Sequence, residues 1–235
     1  LIPSRFSIQQ NLKAKNQVND LILKYATDVL LVFDILAAAI AESIDIDKKI
    51  IWLGDLYFQS GWYHFLYSLR EDWKKNRWWP YAVAQRLAWK RLYKRLLPEY
   101  EYCVVASKSS EIALHEFGIR AKFLPYPWPN AGAVDRDYIR IKPPKPTFLF
   151  FGNLVGLGSR SSLHFLFSDL YPRLRSYWGA KGFHIVIGGS EELPIWIKKI
   201  IDQYQEIEFV GFITDLTKRM SNVHAVLVPI DVPVG

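Results

Sequence analysis

The stretch TFLFFGNLVGLGSR, residues 147–160, decides the fold that we expect for this chain. Its first five residues, Thr147–Phe151, are almost all apolar, which is typical of a buried strand. Three glycines follow, and a helix is predicted over 161–177 because apolar side chains recur there along one stripe. A strand, a glycine-rich loop and a helix in this order indicate a parallel α/β sheet.

Strands and helices alternate on both sides of this stretch. Toward the C-terminus, the pattern predicts strands at 183–187, 207–210 and 224–228 and helices at 193–204 and 215–221, the last with Thr214 as its N-cap. Toward the N-terminus, it predicts helices at 8–26, 35–43, 80–95 and 109–117 and strands at 28–33, 49–53, 102–106 and 121–124.

A proline-rich segment separates the two series. Residues 125–146 contain six prolines, which interrupt regular structure. We therefore expect two Rossmann-like parallel-sheet domains, at 1–130 and 147–235, joined by a linker at 131–146. The chain begins with a leucine and stops without a terminal element, so we expect both domains to be incomplete parts of a longer protein.

The composition excludes several classes of protein. The chain has 235 residues, half of them hydrophobic, and a net charge of +7, which does not fit a disordered chain. A single cysteine excludes a disulfide scaffold and suits a reducing compartment. No apolar run is long enough for a membrane span, and no signal peptide is visible. The expected location is the cytoplasm.

The positive charge is concentrated in residues 70–95, where nine Lys or Arg face only two acidic residues. In the helix predicted there, five cations occupy one half of the helical wheel: Arg86, Lys90, Arg91, Lys94 and Arg95. One interpretation is a helix that buries its apolar face and solvates its cations. The other is a surface for anionic lipid, with tryptophans at the headgroup level, at the inner face of the membrane. Nucleic acid is not expected, because no nucleic-acid-binding module is recognisable.

The glycine-rich loop is a candidate phosphate site. Glycines allow close approach of the backbone, the following helix would present unpaired N–H groups, and Arg160 could add a charged contact. The alternative is an ordinary flexible turn, since neither a Walker A motif nor a G-x-G-x-x-G motif is present.

Several short motifs in the second half resemble family 4 glycosyltransferases, in the order and at the spacing of that family. They are FFGNL at 150–154, LYPRL at 170–174, HIVIGG at 184–189, IEFVGF at 207–212 and VLVP at 226–229. The resemblance implies the GT-B fold, transfer from a nucleotide-sugar, a retaining outcome, and no bound metal or other cofactor. It also implies a glycan or lipid-linked acceptor held on the N-terminal side.

The same resemblance implies roles for individual residues. Gly152, Asn153 and Arg160 would contact the donor diphosphate, and the segment Gly211, Phe212 and Ile213 would face the nucleotide base. Gly235 would begin the loop that approaches the donor sugar.

Asp34 and Asp55 each follow a predicted strand and are candidates for an acceptor contact or a base, although each also fits a loop or helix-capping carboxylate.

Three departures from the family pattern affect the expected activity. Asn153 stands where the family commonly has arginine, and Phe33 precedes Asp34 where the family often has histidine. The E-x7-E segment of the family does not occur before the chain ends. We therefore expect this chain to be inactive or poorly active. The alternative to an enzyme is a non-catalytic nucleotide-binding or membrane-associated α/β scaffold.

Overall fold

The computed structural model describes residues 8–42, 44–125, 143–230 and 232. Their strands form two four-stranded sheets, in which every pairing is parallel. The chain divides into two compact units, and each unit holds one sheet. The predicted α/β fold with two Rossmann-like parallel sheets is therefore confirmed. The exact limits of the linker stay a prediction, because most of 131–146 lies outside the described residues.

The first unit contains the predicted helices and strands in their expected order and, in addition, a helix at Tyr57–Glu71 and a 3₁₀ helix at Trp73–Trp78. Its elements are α1 (Ile8–Tyr25), β1 (Val29–Phe33), α2 (Ile35–Ala41), β2 (Lys48–Leu53), α3 (Tyr57–Glu71), a 3₁₀ helix (Trp73–Trp78), α4 (Trp79–Leu96), β3 (Tyr102–Val105), α5 (Lys108–His115) and β4 (Lys122–Phe123).

The first sheet has the strand order β1-β2-β3-β4. Each strand is added on the same side of the one before it, and right-handed connections then place the connecting helices on one face. On that face Ile51 and Val105 are buried against Tyr93 and Leu114 from the helices. The opposite face of β1 carries Val29, Leu31 and Phe33, which are exposed. This sheet is therefore well covered on one face and poorly covered along β1 on the other.

Cys103 lies within the buried face of β3, and it provides a probe of the first unit. Burial raises the pKa of its thiol to about 12, so that the reactive thiolate is scarce in the folded protein. We expect a thiol reagent at about pH 8 to modify Cys103 only when the unit opens, at a rate that rises with urea concentration. Because the chain has one cysteine, a simple absorbance assay measures this directly. Immediate modification of the folded protein would contradict the burial.

The second unit follows the same alternation with a different strand order. Its elements are β5 (Thr147–Phe151), α6 (Leu157–Phe165), α7 (Tyr171–Trp178), β6 (His184–Gly188), α8 (Ile195–Ile201), β7 (Ile207–Phe209), α9 (Leu216–Ser221) and β8 (Ala225–Val226). The order across the sheet is β7-β6-β5-β8. One face packs against helices α6, α7 and α8, and the other packs against the segment around α9.

Two local features of the second unit differ from the sequence-based expectation. The helix predicted from 161 begins at Leu157, because Gly156 is its N-cap, and a π-helical turn at Leu166–Leu170 joins α6 to α7. The N-cap of α9 is Asp215 rather than Thr214. The Asp215 carboxylate accepts a hydrogen bond from the backbone N–H of Lys218 at 2.9 Å.

Within the described part of the chain, no helix combines the length and the apolar character that a membrane crossing requires.

Candidate functional site

The second sheet changes direction at β5, and this defines a candidate binding edge. The chain passes from β5 to β6 and β7 on one side, then returns to place β8 on the other side of β5. Connections that leave β5 and arrive at β8 therefore run over opposite faces of the sheet. Such a reversal opens a crevice between the carboxyl ends of β5 and β8, at the kind of position where α/β proteins bind their ligands.

Glycine turns from three strands meet at this edge. The N–H of Gly152, after β5, donates to the carbonyl oxygen of Gly188 at 3.2 Å, and the N–H of Gly189 donates to the carbonyl oxygen of Gly211 at 2.8 Å. Gly189 has φ +106°, and a Cβ atom there would lie 2.6 Å from the carbonyl oxygen of Gly152. Glycine is therefore required at Gly189 both for its backbone conformation and for the close contact.

The N-terminus of α6 lies directly after the Gly152 turn. Its N-cap, Gly156, has no side chain to cap the helix, so the first-turn N–H groups are available to a ligand. Arg160 is the fourth residue of this helix, and its backbone N–H already donates to Gly156 at 2.9 Å. The Asn153 side chain accepts a hydrogen bond from the N–H of Val155 at 3.3 Å. The structure thus brings Gly152, Asn153 and Arg160 together in one loop and helix turn.

The segment after β7 contributes the other wall of this edge. Phe212 is 65% exposed, whereas Ile213 packs into the core beside Gly188. Phe212 lines a groove of about 370 Å³ that also contains Lys218 and Arg219 of α9. These two cations could not be singled out from the sequence, because a short helix with two basic residues has no distinguishing pattern. Gly235, the remaining predicted donor contact, lies outside the described residues.

A second pocket lies at the carboxyl ends of β1 and β2 in the first unit. It has a volume of about 550 Å³ and contains both predicted carboxylates, Asp34 and Asp55. The other residues that line it come from helices α3 and α4 and, apart from Gly61, are polar or aromatic: Tyr57, Ser60, Gly61, His64, Gln85 and Trp89. Acidic, hydroxyl, imidazole and indole groups facing one cavity can bind a polar ligand such as a sugar.

Asp34 is held in a strained conformation at the mouth of this pocket. Its φ is +75° and its ψ is 152°, a region that residues other than glycine rarely adopt. One carboxylate oxygen accepts from the N–H of Leu36 at 3.1 Å and so caps α2, and the other accepts from the hydroxyl of Tyr57 at 3.0 Å. Asp34 is thus a helix cap, as one interpretation expected, and also a pocket group. Strain of this kind clusters at functional sites.

Tyr57 is the principal partner of Asp34 and was not identified from the sequence. Its ring stacks on Trp89 at a centroid distance of 4.8 Å, and its backbone N–H donates to the hydroxyl of Tyr93 at 3.2 Å. Burial and the neighbouring Asp34 carboxylate raise the pKa of Tyr57 to about 12. The Tyr57 hydroxyl therefore remains protonated and donates to Asp34 throughout the physiological pH range.

The five cations predicted on one side of α4 do not share one environment. The Arg86 guanidinium lies 4.9 Å from the Trp62 ring centroid, and the Lys90 ammonium lies 4.4 Å from that of Phe117. Both side chains are half-buried, and burial and nearby cations lower the pKa of Lys90. Arg91, Lys94 and Arg95 are exposed, and Arg95 pairs with Glu42 at 3.3 Å.

In the described residues, no group of three or more His, Cys, Asp or Glu side chains is arranged to hold a metal ion.

The sequence matches no family model and no curated protein. The structure is similar to sucrose-phosphate synthase from Thermosynechococcus elongatus, with a TM-score of 0.60 and 14% identity, over 100% of this chain and 58% of that one. It is also similar to the lipopolysaccharide outer core galactosyltransferase WaaB, with a TM-score of 0.51 and 13% identity, over 94% of this chain and 55% of that one. The chain thus spans little more than half the length of these structures. Its two parallel α/β sheets are those of the GT-B glycosyltransferase fold.

Proposed function

We propose that this chain belongs to a glycosyltransferase that moves a sugar from a nucleotide-sugar to a glycan or lipid-linked acceptor. The observation that carries the proposal is the packing of the Gly152, Gly189 and Gly211 turns along the carboxyl edge of the second sheet, where the Gly152 turn adjoins the strand at which the sheet reverses direction. The names of both structural neighbours, a synthase of sucrose phosphate and a galactosyltransferase, support sugar transfer. The resemblance of the sequence motifs to family 4 glycosyltransferases adds a retaining outcome, with no metal.

The second unit would bind the donor. Breaking the bond between the sugar and the nucleotide leaves negative charge on a diphosphate, which protein groups must stabilise when no metal does so. The first-turn N–H groups of α6 and the Arg160 guanidinium supply partial and full positive charge on one side. Lys218 and Arg219, beside Phe212, supply further positive charge on the groove after β7. Phe212 offers an exposed ring on which a base could stack.

The pocket of the first unit would bind the acceptor. The carboxylates of Asp34 and Asp55 can accept hydrogen bonds from sugar hydroxyls, and His64 and Ser60 add further polar contacts. Trp89 offers an apolar face of the kind on which sugar rings pack. We propose that the acceptor lies at the cytoplasmic face of a membrane, where the basic first unit would also be held.

Calorimetric titration tests the donor site. We expect UDP or GDP to bind and the corresponding monophosphate to bind more weakly, because the site recognises the diphosphate. Arg160→Gln should weaken diphosphate binding about tenfold or more, the effect of one charge-assisted contact. Arg173→Gln is the matched control, since Arg173 is an exposed residue of α7 that pairs with Asp169.

Failure of both nucleotides to bind at millimolar concentration would refute the donor site. If UDP or GDP binds but the parent gene encodes no E-x7-E segment beyond Gly235, the non-catalytic alternative is favoured, in which the chain is a nucleotide-binding module.

A further inference from the structure

The 3₁₀ helix and the start of α4 form an unusual surface, which we call the aromatic–cationic turn, residues 73–81. Its sequence, WKKNRWWPY, has three cations and no acidic residue. Trp73 is 72% exposed and Trp78 is 53% exposed, and Trp79 and Tyr81 are also exposed. Large exposed aromatic clusters are uncommon on proteins that act alone in water, and they mark contact surfaces.

The turn is fixed to the body of the first unit while its outer rings project into solvent. The Asp72 carboxylate accepts from the N–H of Lys74 at 3.0 Å and caps the 3₁₀ helix. Trp79 packs edge-on against Trp62, with centroids 5.1 Å apart. In contrast, the Trp78 ring contacts Tyr81 and Arg77 within the turn itself. The exposed rings of Trp73 and Trp78 thus project into solvent from a turn that the Asp72 cap and the Trp79 contact hold in place.

The charge around the turn identifies the kind of partner. Residues 73–98 contain eight Lys or Arg and no Asp or Glu, so that the surface is suited to a polyanion. Indole and phenol rings prefer the headgroup layer of a bilayer, where one end of the ring is apolar and the other is wet. Aromatic rings beside cations on one exposed surface therefore fit an anionic bilayer better than they fit a free phosphate.

We infer that the aromatic–cationic turn docks the first unit on an anionic lipid bilayer. Trp73 and Trp78 enter the headgroup layer, and Lys74, Lys75 and Arg77 face the lipid phosphates. The inference deepens the proposed membrane-associated acceptor. It moves the contact away from the face of α4 that the sequence had indicated, where Arg86 and Lys90 cover aromatic rings of the protein itself.

Binding to lipid vesicles tests the role of the exposed tryptophans in the aromatic–cationic turn. The chain should bind phosphatidylglycerol vesicles, bind phosphatidylcholine vesicles much less, and dissociate in high salt. The double variant Trp73→Ser with Trp78→Ser should bind phosphatidylglycerol about tenfold more weakly or worse. The matched control is Tyr102→Ser with Tyr177→Ser, which removes two exposed aromatic rings from elsewhere and should bind as the natural chain does.

Charge reversal tests the position of the contact. Lys74→Glu with Arg77→Glu should weaken binding by more than about a hundredfold, at roughly fivefold for each unit of charge. Lys90→Glu with Arg91→Glu should weaken it much less. Equal loss from the two pairs, equal binding to neutral vesicles, or equal affinity for a DNA duplex would overturn the inference.

The two proposals can fail separately. A chain that binds UDP or GDP but no vesicles would refute only the docking surface, and a chain that binds vesicles but neither nucleotide would refute only the donor site.

Discussion

Gly189→Ala is expected to destabilise the second unit by about 2–5 kcal/mol, a large part of the stability of a typical domain. The new Cβ would lie 2.6 Å and 2.7 Å from backbone atoms of Gly152, which cannot move aside as the end of a side chain could. Overpacking of this kind costs about 1–3 kcal/mol. The φ of +106° adds about 1–2 kcal/mol for a residue with a side chain. Urea denaturation followed by circular dichroism measures the loss.

Gly211→Ala is the matched control for this prediction. Gly211 belongs to the same edge and has φ +70°, but an added Cβ would meet no atom within 4 Å. Gly211→Ala should therefore destabilise the second unit only by the conformational cost of a positive φ, about 1–2 kcal/mol. The difference between the two variants isolates the contact between the Gly152 and Gly189 turns. Equal destabilisation by the two substitutions would show that the Gly152 and Gly189 turns are not in close contact.

Under the proposed acceptor role of the first-unit pocket, Asp34→Gly is expected to abolish acceptor binding while leaving the first unit about as stable as before. Glycine adopts φ +75° and ψ 152° without strain, which recovers about 1–3 kcal/mol. That gain offsets the lost hydrogen bond from Tyr57 and the greater flexibility of glycine in the unfolded chain, each about 1 kcal/mol. The lost cap of α2 adds roughly a few tenths of a kcal/mol when glycine replaces the capping residue. The carboxylate that is proposed to contact an acceptor hydroxyl is removed at the same time.

Asp34→Ala is the variant for comparison. Alanine keeps the strained backbone and loses both the cap of α2 and the bond to Tyr57, which should destabilise the unit by about 2 kcal/mol. The expected order of stability, glycine above alanine, is the reverse of the order in a helix interior. Denaturation midpoints of the two variants, together with glycan binding by the natural chain as reference, decide between these outcomes. A more stable alanine variant would mean that Asp34 is not strained, and unchanged glycan binding by either variant would remove Asp34 from the site.

The strands of both sheets could be predicted because their signal is local. Each is a short apolar run between turn residues, and this held even for β4 and β8, of two residues each. Helix α3 was not predicted. It contains Gly61 in its interior and many aromatic residues, which favour a strand as readily as a helix, and only packing against α4 decides between them.

The parts of the candidate site that depend on backbone conformation could be predicted from the sequence. The contacts between side chains that are distant in the sequence could not. The glycines of the Gly152 turn indicate, from the sequence alone, that another group approaches the backbone closely. The bond between Asp34 and Tyr57 joins residues 23 positions apart, on separate elements. Likewise a helical wheel places Lys90 on the polar side of α4, but cannot show that Phe117 lies beneath its ammonium group.

The thinly covered side of β1 has a practical consequence for anyone who purifies this chain. β1 is the outermost strand of its sheet among the described residues, and it carries Leu31 and Phe33 exposed to solvent. An edge strand with exposed apolar side chains can pair with the edge strand of another molecule of the protein, and repeated pairing leads to aggregates. Concentrated solutions of the protein should therefore aggregate through β1, and Leu31→Lys is the simplest substitution to reduce this aggregation.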